Sequence, residues 1–120
     1  MKSYQEFIVW QKSMKLVTQI YKLSSDFPQN EQFGLTSQLR RSSVSIPSNI
    51  AEGFGRNSSK EFVRFLQISM GSIFEVQTQL QISKNLEFIS NEKFNIIFSD
   101  AVEIEKMLKA LIKSIKSKSS

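Results

Sequence analysis

The 120-residue chain contains no cysteine and no histidine, so several kinds of chemistry are unavailable to it. Without cysteine there is no disulfide framework, no thiolate metal ligand and no cysteine nucleophile. Without histidine there is no imidazole base, no Ser-His-Asp relay and no imidazole-ligated zinc. We therefore predict a protein that is not an enzyme and that uses no cofactor and no metal.

Long apolar runs are also missing. The longest fully apolar run is Phe7–Trp10, far short of the ~18 residues that a membrane span requires. The first residues carry a charge pair and no apolar segment of signal-peptide length. These features predict a cytoplasmic protein that does not bind a membrane.

Glycine and proline are scarce, with four and two copies, and they divide the chain into long amphipathic stretches. Within these stretches the apolar residues recur at helical spacing and not in strand alternation. The pattern predicts helices over about residues 5–25, 35–52, 59–86 and 91–116. Four long helices joined by short loops predict a single all-α domain over residues 1–120, an antiparallel up-down four-helix bundle.

In the first helix, the apolar residues that recur at alternating spacings of three and four are predicted to form the core-facing seam. These residues are Phe7, Trp10, Met14, Val17 and Tyr21. Leu16, Ile20 and Leu23 widen the stripe, so more than one neighbouring element is expected to contact this helix.

Four further residues are predicted to have defined structural roles. Gly53 is expected to end the second helix as its C-terminal cap. Ser58 and Glu61 have the spacing of a capping box at the start of the third helix. Gly71 lies beside Ser72 inside that helix, where glycine costs about 1 kcal/mol relative to alanine, so a close helix crossing is expected there.

The net charge of +5 arises from 16 basic and 11 acidic residues that are unevenly distributed. The last fifteen residues hold five lysines and no acid, and the preceding residues sum to zero. By helical periodicity, four of these lysines form a stripe opposite the apolar face of the last helix. The stripe is a solvated face that complements the helix dipole, or a phosphate-binding surface. Its members are Lys106, Lys109, Lys113 and Lys116.

All four arginines of the chain lie between residues 40 and 64, and Lys60 accompanies them. The planar guanidinium group suits bidentate contacts with phosphate, which favours an anion or nucleic-acid site. The alternative is structural: Arg41 would pair with Glu52, or with acids across a subunit interface. Phe54 is the one aromatic residue near this cluster that is predicted to be exposed for base stacking. The candidate nucleic-acid contacts are Arg40, Arg41, Arg56, Lys60 and Arg64.

Residues 34–53 carry a distinctive motif, which reads GLTSQLRRSSVSIPSNIAEG. The motif resembles the signature of the bacterial four-helix-bundle proteins known as 23S rRNA intervening-sequence proteins. The resemblance extends to residues 9–12, 60–66 and 71–80, and it covers about residues 7–86 in all.

The resemblance implies the same bundle and a ring-like homo-oligomer, with five subunits as the expected number. A relative in this group, the accessory variability determinant of diversity-generating retroelements, binds its reverse transcriptase and nucleic acid through a positively charged surface. Arg40, Arg41 and Arg56 are the basic positions that match. The partly apolar faces of the second helix independently indicate a subunit contact. The expected interface residues are Val44, Pro47, Ala51 and Phe54.

Together these observations predict a non-catalytic, homo-oligomeric accessory protein that binds RNA, DNA or a ribonucleoprotein partner, such as a reverse transcriptase, through a basic surface. The alternative is a protein-interaction scaffold in which the arginines stabilise a subunit interface.

Overall fold

Four helices and their short connections account for nearly the whole chain in the computed structural model, which describes residues 1–119. Each helix runs antiparallel to the next, and α4 packs back against α1, so the predicted all-α up-down bundle is confirmed. The molecule measures 47 × 23 × 20 Å. Short 3-10 turns at Tyr4–Glu6 and Gln29–Glu31 precede α1 and α2. The helices are α1 (Ile8–Ser24), α2 (Leu35–Gly55), α3 (Ser59–Asn85) and α4 (Asn91–Ser119).

The core is built from the apolar stripes of α2, α3 and α4 that the sequence pattern indicates. On α2 and α3 the stripe residues are fully or almost fully buried, as Leu39 and Leu66 exemplify. On α4 the same holds from Phe94 to Leu108, after which the apolar side chains are only partly covered. Burial of these side chains is the main favourable contribution to folding.

The predicted core-facing stripe of α1 is only partly right: Leu16 and Ile20 are fully buried, but the seam proper is displaced. Met14 and Tyr21 are each 43% exposed, and the buried stripe lies one residue earlier. Both faces of α1 carry apolar residues, so the spacing alone does not tell which face meets α2 and α4. The face with the smaller side chains packs inward, and the larger residues cover the outside of the bundle. The buried residues are Val9, Ser13, Leu16, Ile20 and Ser24.

Small residues allow α2 and α3 to pack closely. The hydroxyl of Ser69 donates to the Ile46 carbonyl across the interface at 2.9 Å, and the hydroxyl of Ser72 donates to that of Ser45 at 2.8 Å. Gly53 is buried in the same interface, where an added Cβ would lie 2.6 Å from the Cβ of Phe65.

The helix ends differ from the prediction in two places. Gly53 is not a cap, because α2 continues to Gly55 and is followed by Asn57 in the left-handed region, with φ at 55°. Asparagine tolerates that conformation better than most residues, which explains the stop. The Ser58 hydroxyl accepts a bond from the Glu61 amide at 3.3 Å, but the Glu61 carboxylate binds Arg64 instead of closing the capping box.

Gly71 does not lie at a helix crossing within this chain. A Cβ added at Gly71 would meet no atom within 4 Å, and the residue lies on the exposed surface of α3. The close crossing expected at Gly71 and Ser72 is therefore found at Ser72, which bonds to Ser45 of α2, and not at Gly71. The cost of a mid-helix glycine is not compensated by any contact among residues 1–119.

Candidate nucleic-acid interface

The bundle brings the two separate basic segments of the sequence to one end. The Gln77 amide donates to the Glu105 carboxylate at 2.9 Å, which fixes the antiparallel register of α3 and α4. Phe65 lies twelve residues before Gln77 in α3, and Ser117 lies twelve residues after Glu105 in α4. The first turns of α3 and the last turns of α4 therefore lie side by side at one end of the molecule.

We call this surface the basic end, and define it as residues 52–64 and 109–118. These ranges hold seven lysines and arginines and two glutamates. Lys106 lies one turn closer to the middle of α4. A shallow concavity of about 520 Å3 lies on the α4 part of the surface, lined by Lys109, Ile112, Lys113, Lys116 and Ser117.

The two arginines of the basic end are held in place by acids and by an aromatic ring. Arg56 binds the Glu52 carboxylate at 2.7 Å, and Arg64 binds Glu61 through two bonds of 3.1 Å. Their guanidinium carbons lie 5.0 and 4.6 Å from the ring centroid of Phe65. These contacts orient the guanidinium groups and leave them about half exposed.

The ion pairs also affect the acids. Hydrogen bonds from Arg64 lower the pKa of the Glu61 carboxyl. Hydrogen bonds from Lys109, at 2.7 Å, and from Gln77 lower the pKa of the Glu105 carboxyl. Both carboxyls therefore stay ionised at neutral pH. Each partly offsets the positive charge of one neighbouring cation.

The four remaining lysines of the basic end are not neutralised in this way. Lys60, Lys113, Lys116 and Lys118 are exposed, and none of them makes an ion pair within residues 1–119. Lys106 is also exposed and also makes no ion pair within these residues. These side chains are available to an external anion.

Arg40 and Arg41 lie at the opposite end of the bundle, about 22 Å from Arg56 at 1.5 Å per helical residue. Arg40 links α1 and α2: it donates to the Ser24 hydroxyl at 2.8 Å and to the Tyr21 carbonyl at 3.2 Å. Its guanidinium carbon lies 4.6 Å from the centre of the Tyr21 ring. Arg41 is exposed. The predicted arginine cluster is thus divided between two ends.

Phe54 does not form an exposed stacking platform. It is half-buried and packs edge-to-face on Phe7 and Phe62, with ring centroids 5.5 and 5.9 Å away. The expectation of an exposed aromatic residue in this turn is therefore wrong. Glu52 likewise binds Arg56 and not Arg41.

The other expected interface residues lie on a different surface. Val44, Pro47 and Ala51 line a groove of about 360 Å3 between α1 and α2, together with Trp10 and Met14. The apolar side chains of α1 that were assigned to the core contribute to this groove. Sequence reasoning identified the α2 side of this groove but missed the α1 side, because it placed the larger side chains of α1 inside the bundle.

The described part of the chain shows neither a metal site nor a membrane-spanning segment. Residues 1–119 contain no cluster of three or more potential metal-ligating side chains. No helix within that range is long and apolar enough to cross a membrane.

The geometry defines a class of protein: a small four-helix bundle with a cationic end and an apolar outer groove. Residues 5–110 match the model of the 23S rRNA-intervening sequence protein family, and the chain belongs to that family. The match extends beyond the region of the motifs. A comparison with curated proteins finds no match.

A solved structure supports the same assignment. It is a protein of unknown function from the S23 ribosomal protein family of Bacteroides thetaiotaomicron. That structure aligns with a TM-score of 0.82 at 29% sequence identity, and the alignment covers 88% of this chain and 96% of that one. Neither description names an enzymatic activity.

Proposed function

We propose that the protein is a non-catalytic, cytoplasmic accessory factor that binds RNA or DNA through the basic end. The observation that carries this proposal is the convergence of the first turns of α3 and the last turns of α4, which concentrates seven cations against two acids. A partner such as a ribonucleoprotein or a reverse transcriptase would contact this protein through the bound nucleic acid or next to it.

The arrangement of the cations favours a polyanion over a single small anion. Arg56 follows the last turn of α2, Lys60 and Arg64 lie on α3, and four lysines lie on α4, so the charge extends over the ends of three helices. Phosphates spaced along a nucleic-acid backbone match such a distributed surface. The two glutamates of the basic end are already paired with arginines, so they do not leave isolated negative charge to repel the backbone.

The proposal predicts salt-dependent binding of duplex RNA or duplex DNA. Each phosphate contact contributes a slope of about 0.9 in a plot of log affinity against log salt. Four contacts would reduce the affinity about 100-fold between 50 and 200 mM salt. Fluorescence anisotropy with labelled duplexes measures this change. Absence of binding to either duplex at 50 mM salt would refute the proposed function.

A second function, self-assembly, is favoured by a different observation. The surface of α3 near Gly71 is apolar, with Ile68, Phe74 and Ile82 each more than 40% exposed. Together with the groove between α1 and α2, it gives the subunit two different apolar surfaces. Two different surfaces that bind each other produce a closed ring when the rotation between neighbouring subunits closes, and an open filament when it does not. We propose such a ring, with five subunits as the expected number. A ring is also compatible with the alternative function, a protein-interaction scaffold.

Gly71 provides the test of assembly. We expect Gly71→Arg to disrupt the oligomer and leave the subunit folded, because a Cβ added at this exposed position meets no atom of the described residues within 4 Å. Multi-angle light scattering should show a mass several times 13.8 kDa for the natural protein and a mass near 13.8 kDa for the variant. Ser99→Arg, which adds the same charge on the exposed surface of α4, should leave the mass unchanged. A monomeric natural protein would contradict the proposal.

A further inference from the structure

Phe33 has an unusual environment for a large aromatic residue, because its side chain is 91% exposed. The loop that carries Phe33 is nevertheless anchored on both sides. Phe27 is buried, with its ring 5.6 Å from that of Phe88, and the Glu31 carboxylate accepts a bond from the Leu35 amide at 3.0 Å. The exposure of Phe33 is therefore imposed by a fixed backbone.

The Phe33 ring forms one wall of a cavity of about 380 Å3 between α1 and α2. This volume falls within the range of small-molecule and nucleotide sites. No carboxylate lines the cavity among the described residues. Its lining combines two aromatic rings, two guanidinium groups and two hydroxyl groups, from Tyr21, Phe33, Arg40, Arg41, Thr36 and Ser37.

The two arginines that line this cavity differ in their contacts. Arg40 is immobilised by its bonds to Ser24 and to the Tyr21 carbonyl, and it covers the Tyr21 ring. Arg41 is exposed and makes no hydrogen bond or ion pair within residues 1–119. A permanently charged, unpaired guanidinium group beside an exposed aromatic ring provides a contact for an anion and a contact for a flat ring.

We propose that this cavity binds an unpaired nucleotide of a single-stranded nucleic acid. The base stacks on Phe33, Arg41 binds the adjacent phosphate, and the Tyr21–Arg40 pair forms the opposite wall. Stacking on aromatic side chains and salt-dependent phosphate contacts are the general means by which proteins hold single strands. An anionic peptide would satisfy Arg41 but would give no reason for the flat, exposed Phe33 surface.

This inference goes beyond the proposed function, because the cavity lies at the end of the bundle opposite the basic end. The basic end binds the charged backbone of either a duplex or a single strand. The Phe33 cavity requires an accessible base, and a base within a duplex has no exposed face.

Two strands of equal charge test the inference: a labelled single-stranded RNA of about ten nucleotides and an abasic strand of the same length. We expect the natural protein to bind the RNA more tightly than the abasic strand. Phe33→Ala should weaken RNA binding about 5- to 150-fold and leave the affinity for the abasic strand unchanged. Phe33→Trp should retain RNA binding, and Arg41→Gln should weaken binding of both strands.

Three results would overturn the inference: equal affinity of the natural protein for both strands, full RNA affinity in Phe33→Ala, or a changed oligomeric mass in that variant. The last result would assign Phe33 to a subunit contact. Duplex binding should be the same in Phe33→Ala and in the natural protein. If the natural protein does not bind duplexes, only the proposal for the basic end fails. The two proposals therefore fail independently.

Discussion

Replacement of Lys60, Lys113 and Lys116 by glutamine is expected to reduce the affinity for duplex RNA on the order of 500-fold at 0.1 M salt. The estimate follows from counterion release, because each phosphate contact contributes about 8-fold at that salt concentration. The slope of log affinity against log salt should fall by about 2.7. The three lysines are chosen because they are exposed and make no ion pair within the described chain. Their removal therefore leaves no acid unpaired.

The matched control removes the same amount of charge from other surfaces. Lys15, Lys22 and Lys93 are also exposed, and they lie on α1 and on the first turn of α4. If net charge alone attracted the nucleic acid, both triple variants would lose the same affinity. An equal loss in the two variants would show that the basic end is not a localised interface. Circular dichroism should show unchanged helix content in both.

Substitution of Gly53 by alanine is expected to lower the melting temperature by about 5–10 °C. The new Cβ would lie 2.6 Å from the Cβ of Phe65, and 3.2 Å from a ring carbon of Phe62. The Phe65 atom is attached directly to the backbone of α3, so the helices must separate. Overpacking of this kind costs about 1–3 kcal/mol, and sometimes more. Each kcal/mol corresponds to roughly 3–6 °C in a domain of this size.

Gly55→Ala is the control for this prediction. Gly55 lies two residues further along α2, and an added Cβ there meets nothing within 4 Å. Its melting temperature should equal or slightly exceed that of the natural protein, because alanine is the better helix former. If Gly53→Ala melts at the same temperature as Gly55→Ala, then the close crossing of α2 and α3 does not contribute to stability. Differential scanning calorimetry measures both values.

Ring assembly and nucleic-acid binding would reinforce each other. In a ring with cyclic symmetry, every subunit presents its basic end toward the same face, so one nucleic acid could contact several subunits. Linked contacts increase the overall affinity well beyond that of a single subunit. The monomeric Gly71→Arg variant would then bind more weakly than the oligomer, although Gly71 lies outside the basic end.

The fold was predictable in its main features because the relevant signals are local. The apolar stripes of α2, α3 and α4 identify their buried faces, as Leu39, Ile73 and Ile104 illustrate. The helix ends were less predictable. The chain reverses after Asn57 and at Glu87, both with positive φ, whereas glycine was the expected stop signal. Glu87 adopts the left-handed conformation in a Schellman motif, in which the Phe88 amide donates to the Ser83 carbonyl and the Glu87 amide donates to the Lys84 carbonyl, both at 2.9 Å. Glycine is the usual residue at that position, so the sequence carries no signal for this end.

The candidate site was predictable only in part. The sequence by itself determined which residues carry the positive charge and that they lie on exposed helix faces, because charge and helical periodicity are properties of each segment. Only the tertiary structure decided how those charges are grouped: the antiparallel register unites Arg64 with Lys116 and separates both from Arg41. It also decided which face of α1 is buried, since both faces of that helix are apolar and packing between helices selects one of them.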